Sequence, residues 1–67
     1  MRIKINGKPE DIEEKNILDI LKAKNVEPRM VAVEVNGELI ERDNYETTIL
    51  KEGDEIEFLY FMGGGVN

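Results

Sequence analysis

Two Asn-Gly dipeptides, Asn6-Gly7 and Asn36-Gly37, each end a run in which β-branched residues alternate with others. Ile3 and Ile5 alternate with Arg2 and Lys4 before the first; Val31, Val33 and Val35 alternate with Ala32 and Glu34 before the second. A period of two marks a half-buried strand, and Asn-Gly supplies the positive φ that a tight hairpin turn needs. The chain is thereby committed to two hairpins, and Asn36-Gly37 reads as a turn and nothing more.

The first hairpin's return strand, Lys8 to Glu13, is weak. Pro9 has no N–H to give a ladder and Ile12 is its only clear apolar contact, so the segment belongs at a sheet edge. Asn16 caps a short helix with Asp19 three residues on, and Ile17, Ile20 and Leu21 form its apolar face. Lys22 and Lys24 stand in the last turn, where the dipole favours cations; Asn25 suits a left-handed terminator and Pro28 forbids continuation. The second hairpin returns through Glu38-Leu39-Ile40. Glu41 to Thr48 is a polar, irregular crossover pinned by Tyr45, and Lys51 to Asp54 is a turn feeding a last strand, Glu55 to Met62.

The order ββαβ(β)β needs one sheet face to cover a lone helix, which predicts an α+β roll with the first and last strands central and adjacent. It suits a β-grasp arrangement, a mixed sheet of four to five strands packed on one helix. Residues 1–62 are expected to form the domain and 63–67 a flexible glycine-rich tail.

With 67 residues, the chain buries only about 60% of its unfolded surface, leaving little room for a deep pocket. It has no cysteine and no histidine, so disulfides, thiolate metal sites and the commonest acid-base group are all absent. No metal site is expected: the acidic pairs Glu10-Asp11 and Glu13-Glu14 read as a solvated face. Fifteen acidic residues against nine basic ones give a formal charge of −6, which disfavours nucleic acid and anionic membranes and favours a basic protein partner. The apolar runs are far shorter than the ~20 residues of a bilayer span, and Met1 to Ile5 is no signal peptide. A soluble, cytoplasmic protein is expected.

The last strand carries an excess of apolar side chains. If Ile56, Phe58 and Tyr60 face the core, Leu59 and Phe61 face away from it, and with Met62 they are expected to bind a partner. Arg42 and Tyr45 are also available to a partner, with Tyr45 at least equally suited to covering one end of the core. Gly63-Gly64-Gly65 lacks the following helix that a phosphate-binding loop needs, because only Val66 and Asn67 remain. A frayed end is one reading. The other is a narrow thread that brings a backbone carboxylate into a partner's active site, a substrate rather than a loop.

Val31 to Gly65, VAVEVNGELIERDNYETTILKEGDEIEFLYFMGGG, resembles the C-terminal half of the ThiS family of thiamine-pathway sulfur carriers, and the likeness extends more weakly through the helix Asn16 to Leu21. Val35 to Glu38, Arg42 to Tyr45, Lys51 to Ile56 and the glycine tail carry it. The resemblance implies a ubiquitin-like carrier, not an enzyme, whose C-terminal glycine is adenylated by a ThiF-like partner using ATP. A persulfide sulfur donor then displaces AMP to leave a thiocarboxylate, and a ThiG-like thiazole synthase receives the sulfur. It further implies a monomer that binds no cofactor itself, with Gly65 as the reacting terminus, Gly64 beside it and Gly63 in the thread. Family tails finish on glycine, so Val66 and Asn67 must be removed first. Trimming is the preferred explanation, against a carrier that no longer activates or residues foreign to the native chain. A molybdopterin-synthase-type carrier, a ubiquitin-like modifier and a β-grasp binding module are the alternatives.

Overall fold

The computed structural model describes residues 1–61. Strands β1 (Arg2–Ile5) and β2 (Lys8–Asp11) form the first hairpin, helix α1 (Ile17–Ala23) follows, and β3 (Val31–Val35) and β4 (Glu38–Ile40) form the second hairpin. The chain then crosses to β5 (Glu55–Tyr60). The strands make one five-stranded sheet in the order β2-β1-β5-β3-β4. β1 and β5 are parallel neighbours at its centre, and the other pairings are antiparallel. This is the β-grasp roll that the element order implies, with the proline-containing strand at one edge. β2 ends at Asp11 rather than Glu13, yet Ile12 is still buried.

Helix α1 forms as its sequence dictates. The Asn16 side-chain oxygen accepts the Asp19 N–H at 2.8 Å, and Ile17, Ile20 and Leu21 are buried against the sheet. Asn25 takes φ 59°, the left-handed value expected of the terminator. Facing the helix are Ile3 and Ile5 of β1, Val31 and Val33 of β3, and Ile56 and Phe58 of β5. Leu50, not anticipated from the sequence, closes this core from the crossover, where its N–H donates to the Lys15 carbonyl at 2.9 Å.

Tyr45 pins the crossover in the way its position suggests. Its ring is 3% exposed, and its hydroxyl donates to the Val31 carbonyl at 3.2 Å. Burial raises the phenol's pKa by disfavouring the phenolate, and the nearby Arg42 charge opposes that rise. Because the folded value exceeds the unfolded one, the associated stability is complete below the ordinary tyrosine range and is lost as pH climbs through the folded pKa. Tyr45→Phe is expected to cost about 1–2 kcal/mol near neutrality through the lost bond to a buried carbonyl. In urea melts against pH, the variant should also lack the wild type's alkaline loss; a variant as stable as wild type at neutral pH would remove Tyr45 from the list of structural anchors.

The turn asparagines do more than turn. Asn6 and Asn36 adopt φ 50° and 52°, as the hairpins require. In addition, the Asn6 side-chain oxygen accepts the Phe58 N–H at 2.7 Å, and that of Asn36 accepts the Glu55 N–H at 3.0 Å. The Asn36 amide nitrogen donates to Asp54 at 3.0 Å. Reading Asn36-Gly37 as a turn alone is therefore corrected, and Asn6 likewise bonds its hairpin tip to β5, long-range contacts that local pattern does not reveal.

Candidate functional site

β5 brings its functional candidates to one end of the sheet. It runs through the middle of the sheet, and its last residues pass β3 in the register Ala32 opposite Leu59 and Val31 opposite Tyr60. The Phe61 N–H continues that ladder by donating to the Met30 carbonyl at 2.9 Å. The direction in which the chain leaves the domain at Phe61 is thus set by backbone bonds.

Leu59 and Phe61 are 46% and 52% exposed, in keeping with the expectation that they face away from the core. Tyr60 requires a correction: expected in the core with Ile56 and Phe58, it is 53% exposed. Alternation does place it on the core face, where its ring meets Phe58 edge-on at 6.3 Å between centroids. β1 pairs with β5 only at Glu55 and Ile56, so by Tyr60 the strand has β3 alone beside it. Met30, partly exposed beside Phe61, completes this apolar end. Met62, Gly63, Gly64, Gly65, Val66 and Asn67 lie outside the described residues.

The outer sheet face is otherwise mostly charged, though it also carries Ala32 opposite Leu59 and the exposed Leu39 opposite Glu34. Glu55 and Glu57 of β5 point outward, Glu34 stands opposite Glu57, and Lys4 lies beside Glu55. Arg2 is paired with Asp11 at 3.1 Å and Glu10 with Lys24 at 3.2 Å, which accounts for one of the acidic pairs as edge ion pairs. Arg42 donates from Nε to the Pro28 carbonyl at 3.3 Å, tying the 3₁₀ turn Arg42–Asn44 to the turn Pro28–Met30 next to Phe61. An open recess of about 300 Å³ lies at the start of β5, lined by Arg2, Lys4, Glu52 and Glu55 among others, far from the apolar end. Among the described residues, no cluster of acidic side chains is placed to hold a metal ion, and no helix is long and apolar enough to cross a membrane.

A one-helix β-grasp roll whose central strand ends in an exposed apolar segment is the class of domain that the fold and this strand end define. Comparisons with known proteins make the class specific. The ThiS family profile matches residues 3–65. The sulfur carrier protein ThiS of Bacillus subtilis is 36% identical, over 94% of this chain and 98% of that protein. A crystal structure of the thiamine biosynthesis protein ThiS from Geobacter metallireducens superposes with a TM-score of 0.81 at 43% identity, covering 97% of this chain and all of that one. A thiazole synthase of Magnetococcus marinus is 38% identical over 97% of this chain, which spans only 20% of that protein's length. The chain belongs to the ThiS family.

Proposed function

We propose that this chain is the sulfur carrier for thiazole formation in thiamine biosynthesis and that Gly65 is its reacting terminus. The observation that carries the reading is the extent of the family match, which runs through the glycines and stops at Gly65, leaving Val66 and Asn67 outside it. The partnership with a thiazole synthase draws support from the Magnetococcus marinus protein, in which a thiazole synthase chain contains a segment like this one.

The chemistry asks little of the carrier's side chains. A carboxylate is a poor electrophile, so a ThiF-like enzyme first joins it to the α-phosphate of ATP, releasing pyrophosphate. The terminal sulfur of a persulfide then attacks the acyl carbon and AMP leaves. Cleavage of the resulting acyl disulfide by a thiol frees the thiocarboxylate, a charged sulfur nucleophile at neutral pH. Glycine leaves the acyl carbon open to both attacks, since no Cβ stands beside it. The carrier itself contributes presentation and docking, and needs no resident cofactor for either.

Incubating the chain ending at Gly65 with the adenylating enzyme, ATP and a persulfide donor tests the reading. Mass spectrometry should find one oxygen replaced by sulfur at the terminus; conjugation to lysines would indicate a modifier, and no reaction a binding module. Docking itself should depend on Leu59. Leu59→Ser is expected to leave the unfolding midpoint unchanged and weaken binding to the adenylating enzyme about tenfold, the effect of an apolar interface anchor. The acidic outer face should make that binding weaken further as salt rises. A drop in thermal stability without a change in affinity would return Leu59 to the core.

A further inference from the structure

We infer that Asn6-Gly7 is a site of spontaneous deamidation in this protein, and that Asn36-Gly37, built on the same dipeptide, is protected from it by Asp54. The reaction is a hydrolysis. The backbone nitrogen of the glycine, having lost its proton, attacks Cγ of the asparagine; the Cγ–Nδ2 bond breaks, ammonia leaves with a proton from solvent, and a cyclic succinimide remains. Water then opens the ring at Cγ to give aspartate, or at the backbone carbonyl to give isoaspartate, whose main chain runs through Cβ. A glycine in second place hinders ring closure least, since no Cβ stands beside the attacking nitrogen. Water is the only co-reactant.

The two hairpin tips are closely matched, which makes their one difference informative. Asn6 and Asn36 take φ 50° and 52°, and Gly7 and Gly37 take φ 82° and 85°, with open space where a side chain would stand. Each asparagine donates its backbone N–H to a β5 carbonyl, Asn6 to Ile56 at 2.9 Å and Asn36 to Glu55 at 2.7 Å. Each accepts a β5 N–H at Oδ1, Asn6 from Phe58 at 2.7 Å and Asn36 from Glu55 at 3.0 Å. Ring closure must turn the carboxamide out of that bond at either site. Among the described residues, only Asn36 is held at the other end of its carboxamide as well: Nδ2 donates to the Asp54 carboxylate at 3.0 Å, a bond of the stronger, charge-assisted kind. Asp54 is itself fixed, since its second oxygen accepts the Lys51 N–H at 2.8 Å. Charge acts in the same direction. Lys8 follows Gly7 and favours the amide anion that attacks, whereas Glu38 follows Gly37 and, with Asp54, opposes it. The products differ too: aspartate in place of Asn6 can still accept the Phe58 N–H, whereas aspartate in place of Asn36 loses its donor and faces the Asp54 carboxylate.

The test incubates the full chain in mildly alkaline buffer and follows each site by peptide mass spectrometry, counting aspartate and isoaspartate together. Asn6 is expected to deamidate at least about tenfold faster than Asn36, the effect of one more charge-assisted bond that must break. In urea, where no folded bond survives, the two rates should converge, leaving only the influence of Lys8 and Glu38. Asp54→Ala should speed the reaction at Asn36 about tenfold and leave Asn6 unchanged; Asp54→Asn, whose neutral oxygen can still accept from Nδ2, should fall between. Asn6 serves as the control for folding, because a variant that loosens the whole domain speeds both sites; should Asp54→Ala do so, Asp54→Asn and the comparison of folded with urea-unfolded wild type decide. Equal rates at the two sites of the folded chain, an Asn36 rate that neither Asp54 variant alters, or the same ratio in urea as in the folded chain would each overturn the assignment.

Discussion

A chain ending at Gly65 is expected to be adenylated at least about a hundredfold faster than the same chain ending at Asn67. The difference is stereochemical as well as positional. In the longer form the carboxylate belongs to an asparagine preceded by the β-branched Val66, so side chains crowd the acyl carbon where glycine has none. The carboxylate also lies two residues further on, about 7 Å of extended backbone, so it overshoots a site built to receive a glycine. Misplacement of a reacting atom by even about 1 Å can cost a hundredfold, and no rearrangement of the folded domain compensates because the register of β5 is set by both its neighbours. Pyrophosphate release with each of the two chains is the measurement. Equal rates would mean that Gly65 is not the terminus on which the enzyme acts. The intact mass of the protein from its own cells then asks whether trimming occurs there.

Leu21→Ala should unfold a large fraction of the molecules. Leu21 is completely buried between helix and sheet, and removing most of its side chain costs about 2–5 kcal/mol in transfer energy and cavity formation. At about 0.05–0.15 kcal/mol per residue, a chain of 67 residues has only about 3–10 kcal/mol of stability in total. No disulfide makes up the loss, since the chain has no cysteine, and among the described residues the buried ones are all apolar or tyrosine. Urea unfolding should show a large fall in midpoint with little change in slope. A cost below about 1 kcal/mol would mean that the sheet stands without its helix, contrary to the packing of Ile17, Ile20 and Leu21 described above.

The elements legible in the sequence were those set by local rules. Alternating β-branched runs ending in Asn-Gly gave the hairpins, Asn16 and Asp19 gave the start of the helix, and Pro9 placed its strand at an edge. The same alternation misplaced Tyr60, because period two says which face a residue occupies and not whether anything lies over that face. That depends on what the rest of the chain packs beside the strand: β1 pairs with β5 only at Glu55 and Ile56 and leaves Tyr60 flanked by β3 alone, which is a tertiary matter. Leu50 was overlooked for a related reason: one buried leucine in an irregular crossover has no periodicity to reveal it. For the candidate site, Leu59 and Phe61 could be identified from the surplus of apolar residues in the last strand. The glycine tail acquired a role from its resemblance to a family, since three glycines by themselves are equally compatible with a frayed end.

β5 lies between a parallel neighbour and an antiparallel one, with Asn36 bonded to its first residue, Glu55, and Asn6 to Phe58 further along. The mechanical consequence concerns release rather than capture. A partner that holds the C-terminal end and moves away pulls along the strand axis, loading the bonds on both flanks in shear. Many bonds then share the tension at once, whereas an edge strand would peel off one bond at a time. A strand held on both flanks in this way resists a pull along its axis without coming out of the sheet.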